Sequence, residues 1–468
     1  MAGTRSTFAL LLANRGFFPA SLIGAARAEL TRRLEELGHC VLLLDEQATR
    51  HGAIETRAEG RLFADFLRQR AGEYQGVIVS LPNFGDENGL VEALRDVQVP
   101  ILVEAYPDEL DRMQPDLRRD AFCGKLAALD ALHQNDITVT TLPPHTVHPS
   151  SDAFRRHVEH FDRLCRVVAG LRHLRVGAIG ARTSAFKTVR IDEVALQRAG
   201  ITVETVDLSA VFRRALGLSA GDEALEAKIG VLTSYSGWSG VPRERVESIA
   251  RLGVVLDQLV DELELDALAL RCWLEIQETF GVSPCVLLSE MNERGIPAAC
   301  EVDVGSAITM HALCSASADV AACLDWNNNY GDADDRCILF HCGPVPQRMM
   351  AGRGEVTDHA ILAGAVGPGC SYGCNTGRMA AQPFTYGNCM TVDGRVSFYL
   401  RQGRFTEDAI PKEFFGCAGV AEIDRLQEAL LTIGRQGHRH HVAVTPGHVV
   451  EPVVEALTRY LGHEVVKL

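Results

Sequence analysis

Phe8-Ala9-Leu10-Leu11-Leu12, stopped by Asn14-Arg15-Gly16, opens a pattern that repeats through the first third of the chain. The run is too short to span a membrane, which takes roughly 18 apolar residues, and is the right length for a strand buried on both faces. No small-residue cleavage site follows it, so it reads as a first strand and not as a signal peptide. Ala20 to Leu37 then carries apolar residues at helical spacing. Cys40 to Leu44 is a strand, Arg61 to Arg70 a helix, and Gly76 to Leu81 a strand ending in Pro82-Asn83-Phe84-Gly85-Asp86-Glu87. Leu90 to Val97 is a helix and Pro100 to Glu104 another strand. Short apolar strands alternating with amphipathic helices indicate a parallel sheet covered on both faces. Such sheets bind ligands outside the carboxyl ends of their strands, and Arg15 and Asn83 stand at two of those ends.

A second α/β unit begins near Arg172, with a strand at Val176 to Ile179, a loop from Gly180 to Thr188, a helix at Ile191 to Ala199 and a strand at Thr202 to Val206. Val246 to Leu270 reads as one long helix. After Asp332 helical periodicity fades, glycines become dense, and short β-rich runs such as Val396 to Leu400 take over, which suggests a small barrel. The end of the chain returns to αβ order, with Val442 to Val444, a helix from Val449 to Leu461, and Glu464-Val465-Val466. The fold class is therefore α/β: two Rossmann-like units, residues 1–171 and 172–330, and a β-rich, barrel-like part, residues 331–468.

At 468 residues the chain exceeds one ordinary core, and its 47% hydrophobic and 23% charged residues are those of a globular protein. A net charge of −15 argues against nucleic acid and anionic membranes as partners. Half of the 14 cysteines (Cys165, Cys272, Cys285, Cys300, Cys314, Cys323 and Cys337) sit inside apolar stretches, where cysteine acts as a small hydrophobe. With no secretory signal, this reads as a reduced, cytoplasmic protein.

Three residues carry the chemistry. Ile296-Pro297-Ala298-Ala299-Cys300 ends in Glu301, Ala321-Ala322-Cys323-Leu324 ends in Asp325, and His440-His441 opens Val442-Ala443-Val444. Charge at the end of a buried run is costly unless a metal or a moving proton uses it. Asp303 rivals Glu301, because both face one side if the segment is a strand. Trp326-Asn327-Asn328-Asn329 reads as turn chemistry after Asp325. If His440 and His441 enter a strand they point to opposite faces, so one at most faces a shared pocket. Gly369-Cys370-Ser371-Tyr372-Gly373-Cys374 invites zinc, but no second cysteine pair stands at finger spacing. G-x-G-x-x-G, Walker, G-x-S-x-G and H-E-x-x-H motifs are absent, which leaves hydride and phosphoryl transfer without support.

Taken together these segments resemble the L-fucose isomerases and their shorter relatives, with L-arabinose isomerase a distant cousin. The resemblance rests on Asn14 to Pro19, Ala185-Phe186-Lys187-Thr188-Val189-Arg190, Cys272-Trp273 with Gln277, Pro284-Cys285 to Glu301, Leu324-Asp325-Trp326-Asn327, and His441-Val442-Ala443 with Gly447-His448. It implies one divalent metal, usually manganese with magnesium or cobalt as alternatives, held by Glu301, Asp325 and His441. It also implies a homo-oligomer, hexameric or related, whose active sites are shared between subunits, so that Arg15 reaches a sugar held by a neighbour.

The implied reaction is aldose–ketose isomerisation of an open-chain sugar through a cis-enediol(ate), with Glu301 and Asp325 as proton carriers. Phe186, Lys187, Gln277, Trp326, Asn327 and His341 are the candidate sugar contacts. A deoxyhexose, a pentose and an anionic, sulfonated hexose all fit, the last because Lys187, Arg190 and Arg15 are cationic. The competing readings are a non-catalytic sugar-binding protein and a metal-dependent epimerase or lyase using the same enediolate.

Overall fold

The structure, a computed structural model, describes residues 6–468. The chain divides into two compact units, residues 2–169 and 170–468.

In the first unit β1 (Thr7–Leu12), β2 (Cys40–Leu43), β3 (Gly76–Leu81) and β4 (Ile101–Ala105) form a fully parallel sheet in the order β2-β1-β3-β4. Its two faces explain the unbroken apolar run of β1. Phe8, Leu10 and Leu12 pack with Ile23, Leu30, Phe154 and Phe161 on one side, while Ala9 and Leu11 pack with Phe63, Leu67 and Leu90 on the other. The helix Glu87–Leu94 starts where Asp86 caps it, its side chain accepting from the Gly89 N–H at 2.7 Å.

The second unit begins with another parallel sheet, β5 (Arg175–Ile179), β6 (Thr202–Val206), β7 (Ala267–Leu270) and β8 (Ala298–Cys300), ordered β6-β5-β7-β8. The long helix expected from Val246 to Leu270 is two elements. A helix spans Arg243–Glu262, Glu264 turns the chain at φ 51°, and Ala267–Leu270 is β7, buried at every position. A strand buried on both faces is apolar throughout, so its period disappears into that of the preceding helix.

The remaining strands are β9 (Ala322–Asn329), β10 (Arg336–His341), β11 (Glu355–Asp358), β12 (Tyr372–Arg378), β13 (Pro383–Val392), β14 (Arg395–Phe405), β15 (Cys417–Glu422), β16 (His441–Pro446) and β17 (Glu464–Val466). Antiparallel pairings run β15-β10-β9-β16-β13-β14 and return from β14 to β15, closing a barrel. Leu324, Leu339, Phe384, Tyr386, Tyr399, Val442 and Val444 share its core. The sequence Trp326 to Asn329 is not a turn but the second half of β9, bulged against β10 between Ile338 and Leu339. The helix Val304–Ser317 packs on β5 and β7 and also on β13 and β16, tying the parallel sheet to the barrel.

Candidate active site

Glu301 follows directly on β8, and both it and Val302 adopt left-handed backbone conformations, φ 62° and 59°. A β-branched residue in that region is strained, and strain of this kind persists where the surroundings enforce a function. The turn it makes lets Asp303 cap the next helix. The expectation that Glu301 and Asp303 share one face of a strand therefore fails, because neither lies in a strand.

Asp325 and His441 are opposite each other in the β9–β16 register. His441 is fully buried. Its Nε2 stands 2.8 Å from Glu301 Oε2 and 3.4 Å from Asp325 Oδ1, and its Nδ1 stands 2.7 Å from Asp303 Oδ2. Burial pushes the His441 imidazole down, but the carboxylates and the Cys323 thiol around it outweigh burial and hold its pKa well above the ordinary value. The two other carboxyls part in direction. Burial opposes the ionised Glu301, yet the His441 hydrogen bond and charge draw its pKa below the usual range. Burial dominates at Asp325 and raises it.

Asp303 is itself clamped. Ser306 Oγ donates to Oδ2 at 2.6 Å, the Ser306 N–H donates to Oδ1 at 3.1 Å, and the buried guanidinium of Arg439 pairs with Oδ1. Asn388 Nδ2 donates to Ser306 Oγ at 3.0 Å and to the His441 carbonyl at 2.7 Å, joining β13 to β16 and the helix. Gly305 makes room for this packing: a Cβ there would stand 2.7 Å from Arg439 Nη1. A histidine whose outer nitrogen is fixed by a carboxylate has its inner nitrogen aimed and made more basic, the arrangement found behind metal-ligating histidines.

Several candidates lie around this centre. Trp273 Nε1 donates to Glu301 Oε1 at 3.0 Å, so both oxygens of that carboxylate are engaged. The Phe186 ring is 5.9 Å from those of Trp273 and His441 and 5.4 Å from that of His440. The His341 ring is 5.9 Å from that of His441, and its Nδ1 lies 2.9 Å from the Cys342 backbone nitrogen and 3.1 Å from the Cys342 Sγ. Burial acts against the charged form of His341, but the Cys342, Asp325 and Glu301 charges prevail and push its pKa up to about 10. Gln277 is buried with Nε2 on the Cys272 carbonyl at 2.7 Å and Ser283 Oγ at 3.1 Å. Lys187 is exposed in the turn after Phe186.

Others are placed differently. Trp326 packs against the barrel core, with its Nε1 3.3 Å from the Tyr399 hydroxyl and its ring against Tyr386, because alternation along β9 turns it away from Asp325. Asn327 is exposed at the bulge, where Trp326 and Asn328 take the β10 partners. Arg15 belongs to the first unit, over the Phe84 ring at 4.1 Å and paired with Glu87 at 3.1 Å. His440 corrects the opposite-face expectation. It precedes β16, so strand alternation does not reach it, and its Nε2 lies 3.6 Å from Asp325 Oδ1 with its ring 4.4 Å from that of His441.

The donor set suits a divalent cation. Two carboxylate oxygens converge on one imidazole nitrogen, and buried Asp325 Oδ1 and His341 Nε2 have no hydrogen-bond partner. Asp325, His440 and His441 alone present three ligand atoms within 4.8 Å of one another. Oxygen-rich donors with an imidazole select a hard or borderline ion.

Residues 9–172 match the family described as "Fucose/sulfoquinovose isomerase, N-terminal domain", and residues 339–468 match "L-fucose isomerase, C-terminal domain". His441 falls inside the second match, and both carboxylates fall between the two. Among curated proteins, sulfoquinovose isomerase of Priestia aryabhattai is 24% identical over 323 residues, 68% of this chain and 69% of that one. Sulfoquinovose isomerase of Alkalicoccus urumqiensis is 28% identical over 284 residues, 59% of this chain and 61% of that one. That of Clostridium sp. (strain MSTE9) is 22% identical over 295 residues, 62% and 64% of the two.

Proposed function

We propose that this chain, which belongs to the fucose and sulfoquinovose isomerase family and is an aldose–ketose sugar isomerase, works through Glu301, Asp325 and His441 around a divalent cation, on a sulfonated hexose. The observation that carries this reading is the convergence of Glu301 Oε2 and Asp325 Oδ1 on His441 Nε2, with the ring's other nitrogen held by Asp303. No helix among the described residues is long and apolar enough to cross a membrane.

Glu301, Asp325 and His441 would hold the cation, manganese or in its place magnesium or cobalt, and when bound it supplies a Lewis acid that polarises the sugar carbonyl. Glu301 takes the proton from C2, the C–H electron pair forms the C1=C2 bond of the enediol, and Asp325 gives a proton to O1. In the second half Asp325 takes the proton of O2, the C2 carbonyl forms, and Glu301 returns its proton to C1. Trp273 and His441 keep Glu301 aimed, and Phe186 excludes water over the centre. His341 Nε2 and Gln277 Oε1, both buried without a partner, are the groups proposed to meet sugar hydroxyls.

The sulfonated substrate is supported by the relatives' own activity and by exposed Lys187 beside Phe186. The family resemblance supports an oligomer, hexameric or related, in which Arg15 meets a neighbour's sugar. Free thiols at all 14 cysteines support a reducing, cytoplasmic setting. The test is a panel of sulfoquinovose, L-fucose and D-arabinose with manganese in D2O, read by NMR. The sulfonated aldose should give its ketose fastest, and preferential turnover of a neutral sugar would remove the substrate assignment.

A further inference from the structure

Directly after β10 and His341 comes Cys342, a partly exposed thiol with no part in the mechanism above. Its Sγ is 3.4 Å from that of Cys285, the buried first residue of the helix Cys285–Glu293, 57 residues away in sequence. His341 Nδ1 stands 3.1 Å from the same Cys342 Sγ, and Cys374 donates to the Cys342 carbonyl. A thiol pair is thus joined, by one peptide bond and one side-chain contact, to the ring proposed to meet the sugar.

We propose that Cys285 and Cys342 are a reversible oxidation site, a dithiol that hydrogen peroxide converts to a disulfide, and that the disulfide displaces His341 and slows the isomerase. Cysteines that serve as small apolar filler need not meet, whereas these two come from separate segments and bring sulfur against sulfur. A disulfide holds its sulfurs about 2.05 Å apart, so the pair closes by roughly 1.3 Å from its 3.4 Å separation. A thiol that is open to solvent and beside an imidazole nitrogen is the kind that oxidises first. Cys342 therefore takes the first step and buried Cys285 the resolving one. The Cys342 sulfur attacks one peroxide oxygen, the O–O bond breaks, and the departing hydroxide leaves with the thiol proton as water. The Cys285 sulfur then attacks the sulfur of the Cys342 sulfenic acid, the S–O bond breaks, and the hydroxyl leaves with the Cys285 proton as a second water. Two electrons have passed from the two sulfurs to the peroxide. Cys300 is the rival partner, with its Sγ within 4.8 Å of Cys342 Sγ, against 3.4 Å for Cys285. A disulfide that forms under peroxide and reverts with a reductant suits a protein whose 14 cysteines are otherwise free.

The loss of turnover rests on the isomerase reading, and the disulfide itself does not. Full-length reduced protein is treated with hydrogen peroxide, quenched with catalase, alkylated and digested, and joined peptides are located by fragmentation mass spectrometry. Cys285 and Cys342 should be linked, and dithiothreitol should undo the link. A peroxide-treated wild type without that link, or with Cys342 joined to Cys300, overturns the proposal. Turnover of the best aldose of the panel with Mn2+ should fall on the order of 10²-fold, the cost of a group displaced by about 1 Å, and return with dithiothreitol. Cys285→Ala leaves Cys342 without a resolving thiol, so its loss of turnover should follow sulfinic acid formation and not reverse. Circular dichroism establishes that this variant is folded, and Cys342→Ser, which should resist peroxide, replaces it if it is not. An active reduced enzyme whose disulfide form keeps its rate overturns the switch. A reduced enzyme inactive on every sugar of the panel counts against the isomerase reading, and the mass spectrum still decides the thiol pair.

Discussion

Asp325 and His441 face each other across the β9–β16 ladder, their Cα atoms in register and His441 Nε2 3.4 Å from Asp325 Oδ1. Barrel pairing thus sets the distance between two polar side chains remote in sequence. A slip of one residue would turn Asp325 inward and Trp326 outward, because strand side chains alternate. The core side of the same strands, Leu324, Trp326, Val442 and Val444, guards that register. Glu301 arrives from the parallel sheet, and the helix Val304–Ser317, packed on both β7 and β16, holds the two sources together.

Replacing Glu301 by Gln removes the charge but keeps an oxygen for Trp273 Nε1. The rate of isomerisation should fall at least about 10²–10⁴-fold, the range for loss of a positioned acid–base group. Far-ultraviolet circular dichroism should be unchanged. A variant that keeps its turnover number on the best aldose of the panel would remove Glu301 from the proton path.

Asp303 acts through His441. Asp303→Asn should weaken Mn2+ binding about 10–100-fold, as loss of the carboxylate behind a ligating histidine does. Asp303→Ala should also cost about 3–5 kcal/mol of stability, because it leaves the buried Arg439 charge unpaired. Titration of free Mn2+ by electron paramagnetic resonance and urea unfolding read the two effects separately. Unchanged Mn2+ affinity in Asp303→Asn would reduce Asp303 to a helix cap.

How far the sequence could be read follows from the kind of signal each residue leaves. Phe8 to Leu12 and Gly76 to Leu81 announce a parallel sheet because burial on both faces makes a strand uniformly apolar. The same property hid β7, whose Ala267–Leu270 continues the apolar pattern of the helix before it. Glu301, Asp325 and His441 stood out as charges against apolar runs. Trp273, Ser306 and Arg439 escaped a role, and Asp303 was weighed only as a rival to Glu301, because their contacts lie with partners distant along the chain, as with Arg439 on Asp303. One local signal was present: Asp303-Val304-Gly305-Ser306 before an apolar run is an N-cap pattern, which places Asp303 at a helix start and not in a strand. His440 was misjudged because alternation was extended one residue beyond the strand's first position.

In the first unit, buried His157 joins Glu104 through Nδ1 at 2.7 Å and the Pro143 carbonyl through Nε2 at 2.8 Å. Burial favours the neutral ring, but the hydrogen bond and charge of Glu104 raise its pKa above the ordinary value. A raised folded-state pKa contributes stability that is complete below about pH 6.5, the unfolded value, and disappears as pH rises through the folded one. The stability gap between wild type and His157→Gln, from urea unfolding, should therefore be wider near pH 5.5 than near pH 9. A gap that widens with pH would show that Glu104 does not hold the imidazolium.

Lys187 provides the test of the sulfonate. It is exposed, it begins the short turn Lys187–Val189 directly after Phe186, and no ion pair among the described residues engages it. A hydrogen bond to a charged group contributes about 1.5–3 kcal/mol, so Lys187→Met should lower kcat/KM for a sulfonated aldose by about 10–100-fold. A neutral aldose lacks the anion and should lose little, and an exposed substitution of this kind should leave stability within about 0.5 kcal/mol. Lys187→Arg keeps the charge and should recover most of the sulfonated rate. The ratio of the two substrates decides the matter, because a fall shared equally by both would mean that Lys187 only shapes the loop that carries Phe186.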